Sequence, residues 1–372
     1  MHHAPLSKSF FAHCRLWILL ALIHVYLISS AMAENIFDTR YQYYQEDDGR
    51  VRVDSDYSLF SIDLSDTLML DGTLLYSAIT GASPTGLPPD KRGGQVPTVS
   101  IEDERYAASL GLTKQLGNHS LKIGGSYSNE SDYLSLGGSV QDTISFNEKN
   151  TELVLGFAYT DDTVGANGSD LAAKKRSYDW MVGVNQILGP NTLLTLNAGV
   201  GLKQGFLSDP YKRVLLNDEV YLESRPDRKL EQILFGQLTH FIEPWDASVE
   251  VSYRFGHNDG GINSHTSMIA FYKYLLDKRL VIRPSFRYYR QSAADYYNIA
   301  FTGNPEFYSA DYRVSAEETV NLGLQVRWFA VPDKVSVDLG YERYMSRGTD
   351  GRTSQSAYPD ANSITTGIHI QF

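Results

Sequence analysis

Ser363-Ile-Thr-Thr-Gly-Ile-His-Ile-Gln-Phe372 decides how the rest of this chain is read. Ile364, Thr366, Ile368, Ile370 and Phe372 alternate strictly with Ser363, Thr365, Gly367, His369 and Gln371. A period of two sends the first set to one face of a strand and the second set to the other. The frayed end of a soluble domain has no use for an exposed terminal Phe. A strand that closes a transmembrane barrel does, because its outward side chains meet lipid and its last ring sits at the interface.

The same residues resemble the terminal sorting signal of outer-membrane barrels, with Thr365, Gly367, Ile370 and Phe372 in the key places. The other end agrees. Lys8 and Arg15 precede an apolar run, Leu16 to Ile28, and Ala31-Met32-Ala33 offers a small-x-small cleavage site. The run is shorter than the roughly 20 residues a spanning helix needs. The sequence therefore predicts a signal peptide over 1–33 and one mature domain over 34–372. Cys14, the single cysteine, lies ahead of the apolar run, so neither lipid attachment nor a disulfide in the mature chain is expected. The net charge of −11 becomes more negative once the basic leader is removed, which argues against a nucleic-acid partner.

Outward from the terminal stretch the same alternation recurs. Val249, Val251, Tyr253 and Phe255 interleave with Glu250, Ser252 and Arg254; Val335, Val337, Leu339 and Tyr341 interleave with Ser336, Asp338, Gly340 and Glu342. The connections fall into two kinds. Short Gly/Pro/Asn/Asp turns occur at Ser65-Asp66, Gly117-Asn118, 147–150, 189–191, 243–246, Asp277-Lys278 and 332–334. Longer polar segments, near 78–103, 161–176, 205–228, 292–312 and 347–360, come between them. Tight turns at one end and large loops at the other are the pattern of an outer-membrane barrel. The fold class expected is all-β: a transmembrane, antiparallel, up-and-down β-barrel of about sixteen strands, from 36–46 to 362–372, although the pattern also admits fourteen or eighteen. Predicted strands include 67–78, 104–116 and 177–188.

A family resemblance enters with Asp47-Asp48-Gly49-Arg50-Val51-Arg52-Val53 and, downstream, Thr80-Gly81-Ala82-Ser83-Pro84-Thr85-Gly86. These resemble the start of the bacterial family called domain of unknown function 3570. The resemblance implies an outer-membrane location and fold, and implies no catalytic residues.

Charged residues at strand centres carry the functional reading. Glu250, Arg254, Arg283, Arg287, Arg327, Asp338 and Glu342 fall on the faces opposite the apolar series. Lys or Arg facing lipid at mid-depth costs about 2–4 kcal/mol, so these side chains turn inward and are the candidates for a lumen constriction. His257, Asp259 and His265, near a short hairpin, are weak candidates for a metal or acid–base site at the rim. The Pro- and Gly-rich stretch from Ile79 to Asp103 reads as a loop able to fold inward or to cap the mouth. Tyrosines and tryptophans near strand ends read as interfacial girdles. No nucleophile elbow, phosphate loop or C-x-x-C-H occurs, so neither cofactor nor metal is expected. The reading is a passive or weakly selective outer-membrane channel for small solutes, not an enzyme. The alternatives are a non-conducting scaffold for envelope components and a rim-sited membrane hydrolase. The expected surroundings are outer-membrane lipid, lipopolysaccharide and the barrel assembly machinery of a Gram-negative bacterium, with both termini in the periplasm; oligomeric state is left open.

Overall fold

The structure is a computed structural model and describes residues 35–91 and 93–372. The expected signal peptide lies outside the described residues. Strands come in chain order as β1 (Ile36–Glu46), β2 (Arg52–Ser65), β3 (Leu68–Pro84), β4 (Thr98–Leu116), β5 (His119–Asn129) and β6 (Tyr133–Phe146). Next are β7 (Thr151–Val164), β8 (Ala173–Gly189), β9 (Thr192–Gly205), β10 (Arg213–Leu216), β11 (Glu219–Leu222) and β12 (Arg228–Ile242). The last are β13 (Ala247–Asn258), β14 (Asn263–Leu275), β15 (Leu280–Gln291), β16 (Glu317–Val331), β17 (Val335–Gly348) and β18 (Ala361–Gln371). All but β10 and β11 pair with their sequence neighbours, and β1 pairs antiparallel with β18, closing a barrel of sixteen strands. The hairpin β10–β11 stands apart in a connecting loop.

The pleat sorts side chains as the alternation requires. Leu110, Ile123, Leu136, Trp180, Leu196, Leu234, Val251, Phe286, Leu324, Leu339, Ile364 and Ile368 are exposed on the outer face. Opposite faces carry Ser, Thr, Gly, Asn and charged residues. With no second sheet behind it, this outer apolar band is solvated by hydrocarbon, and every spanning backbone group finds its partner in the closed ladder. Among the described residues no helix is long and apolar enough to cross a membrane.

Short turns and long loops segregate to opposite ends as expected. Left-handed conformations at Asn147–Lys149, Asp246, Leu276–Lys278 and Asp333, with Gly117 at φ 63°, reverse the chain tightly at the short-turn end. Both Asn35 and Phe372 lie at that end, bonded to each other through their backbones at 3.0 Å.

Two expectations need correcting. The stretch 79–103 is not wholly loop: Ile79–Pro84 and Thr98–Asp103 extend the β3–β4 ladder, leaving only 85–97 outside it. Gly81 takes φ 127° there, and Pro84 is the last paired residue, so its missing N–H interrupts nothing beyond it. The segment 205–228, read only as a long polar connection, carries a hairpin of its own. Asn217 and Asp218 have φ of 51° and 64°, the left-handed pair that turns β10 into β11.

Candidate functional site

The seven charged candidates all belong to the inner face, set there by the pleat that turns Val251, Phe286, Leu324 and Leu339 outward. Their environments differ sharply. Asp338 is buried at 3% exposure, bonded by Arg40 at 3.5 Å and by Gln325 at 3.2 Å, with Arg327 at 3.8 Å. Gly367 makes room for this cluster: a Cβ there would lie 3.1 Å from Asp338 and 3.2 Å from Arg40. This glycine of the terminal strand therefore seats an ion pair. Thr365 shares its inward face, while Ile370 points outward. Glu342 accepts from Asn321 at 3.0 Å. Arg283 lies over the Tyr272 ring, 5.1 Å from its centroid, and its Nε has no hydrogen-bond partner. Arg254 and Arg287 are exposed to the lumen.

The wall across the bore is built differently. Ser109, Gly111, Gly124, Ser126, Gly137 and Ser139 line β4–β6 with almost no bulk. The charges there are neutralised in place: Lys122 meets Asp71 at 2.7 Å and Lys175 meets Asp162 at 3.1 Å. Gly111 is the seat of the first pair, since a Cβ would come within 2.5 Å of Lys122 Cε. On β12–β15 the inner face instead carries Phe235, Met268, Tyr272, Tyr289 and the arginines. The bore is thus flanked by one thin wall and one bulky, basic wall.

Above the walls, four long loops meet in a cap; the sequence offered a capping role for the stretch 79–103 alone. The segment 206–227 starts from β9 and β12 yet reaches β3: Arg213 N donates to Thr85 O at 2.7 Å, and Lys212 Nζ bonds Ser83 and Pro84. It is zipped to 292–316 by Phe301 N to Leu215 O at 2.8 Å and by reciprocal bonds of Ser224 and Tyr308 at 2.9 and 2.7 Å. Segment 349–360 joins through Val96 N to Ser356 Oγ at 3.1 Å, and Arg50 donates to Ser356 O at 3.0 Å.

Val214 is fully buried at the cap's centre. Beside it Arg225 spans Glu223 at 2.8 Å and Asp311 at 2.7 Å, and Arg313 joins Asp311 to Asp209. Burial alone would raise Asp311, but Arg313, Lys212 and Arg225 outweigh it and hold its carboxyl below the usual range. Glu223 goes the other way, raised chiefly by burial despite Arg225. Burial lowers Lys212. Two clefts remain at this level. One of about 410 Å³ lies between 84–89, Tyr297 and 351–355. Another of about 680 Å³ lies between 206–211 and the rim residues Lys175, Lys203 and Lys229.

The weak rim candidates are not drawn into one cluster. His257 bonds Asn263 at 2.9 Å, His265 bonds the Tyr253 hydroxyl at 2.6 Å, and Asp259 bonds Arg228 at 3.2 Å. Among the described residues the acidic group close enough to share an ion is instead Asp103, Glu130 and Asp132. The girdle reading also needs sorting. Tyr41, Tyr43, Tyr178, Trp180, Tyr288 and Trp328 are on outward strand faces. Tyr44, Tyr289 and Phe329 are on inward faces, and Tyr296 and Tyr297 belong to the cap.

Comparison with known proteins fits this geometry. The model of the family described as Protein of unknown function (DUF3570) matches residues 20–174 and 169–369. No curated protein matches the sequence. Among solved structures, CdiB from Acinetobacter baumannii superposes with a TM-score of 0.52 at 9% identity, over 92% of this chain and 61% of that one. OmpT, an outer membrane protein of Vibrio cholerae, gives 0.48 at 11% identity over 93% and 100%. OpdK of Pseudomonas aeruginosa, solved with vanillate, gives 0.45 at 10% identity over 91% and 98%. The chain thus spans about six tenths of CdiB, and the likeness is one of fold.

Proposed function

The chain belongs to the DUF3570 family, and from that premise we propose that it is an outer-membrane channel for small solutes, narrowed at its long-loop end by the cap. One observation carries the reading: the interior is hollow. Inner-face residues at mid-strand, among them Ser126, Asp179, Met181, Arg287 and Glu342, are exposed although the barrel around them is closed. Sixteen strands leave an aqueous bore unless a plug fills it. In this reading the short-turn end, with both termini, faces the periplasm. The outward aromatic residues sit against lipid and lipopolysaccharide, and the terminal strand is what the assembly machinery engages.

Conductance across a planar bilayer tests the proposal. A tryptophan at Gly156, on β7 beside the thin wall, where an added Cβ meets nothing closer than 3.6 Å, should lower single-channel conductance by roughly half. A wild-type barrel that inserts and passes no current at any voltage would select a second reading, a non-conducting scaffold for envelope components. The four-loop cap is the feature that favours that alternative.

A further inference from the structure

We infer that the arginine-bearing wall of β13–β16 is a binding track for small organic monoanions that join a carboxylate to a flat apolar body. The inference rests on the channel reading and names the solute class. Its first ground is charge that has been left unmatched. Elsewhere on the inner wall cations sit against carboxylates: Lys122 on Asp71 at 2.7 Å, Lys175 on Asp162 at 3.1 Å, Lys203 on Glu231 at 2.6 Å, Arg40 on Asp338 at 3.5 Å. Among the described residues Arg254, Arg283 and Arg287 form no ion pair, and Arg254 and Arg287 are exposed to the lumen. A planar guanidinium whose donors are free is suited to a planar carboxylate, which it can meet with two parallel hydrogen bonds.

The second ground is what lies beside each arginine. Phe235 is directly opposite Arg254 across the β12–β13 ladder, and Met268 is opposite Arg287 across β14–β15. Tyr272 lies beneath Arg283. Each cation therefore has one apolar or aromatic neighbour on the same face, at the cross-strand spacing where side chains touch. The β14–β15 ladder is interrupted at the third of these places. Residues 283–284 have no partner in the β14 ladder, because Pro284 offers no N–H there. A ligand that places a carboxylate on the guanidinium and its ring on the adjacent side chain uses both halves of the motif.

The third ground sets the charge of the ligand. One cross-strand row runs Glu250, Ala270, Ser285, Gly323, Glu342, and Arg287 and Arg283 lie one step to either side of it on β15. The wall thus alternates positive, negative, positive along the bore. A single negative charge can pass from one arginine to the next across this row. A dianion is held twice as strongly at each arginine and repelled twice as strongly by Glu250 and Glu342, so the row puts a doubled barrier between its two sites.

The experiment uses the detergent-refolded mature barrel, titrated with benzoate, with its neutral isostere benzamide and with acetate, alongside ion selectivity in planar bilayers. Benzoate is expected to bind at least about tenfold more tightly than either of the other two, a difference of about 1.4 kcal/mol. The paired variant R254Q/R287Q should erase that advantage, and R254K/R287K, which keeps the charge, should restore part of it. Equal affinity for benzoate and benzamide, or for benzoate and acetate, overturns the inference, as does a glutamine pair that binds benzoate like wild type. Bilayers separate the two readings. Conductance without anion preference, together with no benzoate affinity, removes the track and leaves the channel. Benzoate binding that the glutamine pair abolishes, in a barrel without conductance, keeps the track and removes the channel.

Discussion

The arginines of the cap and the arginines of the wall are the same side chain put to opposite uses. Arg225 and Arg313 converge on Asp311, whose side chain is fully shielded from solvent, and are further tied to Glu223 and Asp209. Arg254 and Arg287 stand in the lumen with no carboxylate beside them. Burial without a partner would cost a charged group several kcal/mol, so the cap must match its charges and the wall need not. Between these extremes lies Asp338, a wall residue buried like one in the cap and shared by Arg40 and Arg327. The difference teaches that charge alone does not mark a functional residue in this barrel. Buried charge is matched, and charge exposed to the bore is left unmatched.

Three substitutions grade that contrast. D311N leaves Arg225 and Arg313 facing a neutral group inside the cap and should cost about 3–5 kcal/mol of the cap's local stability. Limited proteolysis should then cut within 206–227 and 292–316 while the barrel stays intact; an unchanged digestion pattern would mean that the ionic lattice does not hold the loops. D338N should cost less, about 1–3 kcal/mol, because its arginines are part-exposed and can recruit water. The unfolding midpoint in denaturant, followed on the heat-modifiable band, measures it. R287Q should move the same midpoint by no more than about 0.5 kcal/mol, since that guanidinium holds nothing in place. A large loss of stability there would collapse the distinction between the two regions.

Acid probes the cap from another side. Asp311 is held below the ordinary carboxylate range, so its stabilisation is complete above its unfolded value and is lost only as pH falls through the lower, folded one. Glu223 is raised by burial and binds its proton more readily in the folded cap, so it gains stability on mild acidification. Protease resistance of the cap should therefore hold or rise from neutral to mildly acidic pH and fail only in strong acid. Resistance that disappears already in mild acid would show that a different carboxylate secures the loops.

Much of the barrel was legible because lipid and water enforce the period of two on every spanning strand. The terminal decapeptide, the Val249–Phe255 and Val335–Glu342 series, and the sorting of turns from loops all follow from it, and all seven inward charges are where alternation puts them. Strand ends were harder to read. β3 and β8 run on to Pro84 and back to Ala173, beyond the apolar band, where nothing in the solvent demands alternation. Asn217-Asp218, flanked by Val214-Leu215-Leu216 and Val220-Tyr221-Leu222, is a readable hairpin signal inside a long polar connection. The cap's ionic cluster was not readable: Arg225 and Asp311 are 86 positions apart, and Asp209 and Arg313 are 104 apart. Only the barrel, by bringing distant loops over one mouth, makes them neighbours.

The seam between β1 and β18 joins the barrel's first strand in chain order to its last, over a register that runs from Ile36–Gln371 to Glu46–Ala361. Until β18 is seated against β1, an inserted ribbon would expose two raw edges of N–H and C=O groups to hydrocarbon. The barrel is therefore a clasp that cannot shut early: the hairpins between keep an open edge on either side until β18 meets β1.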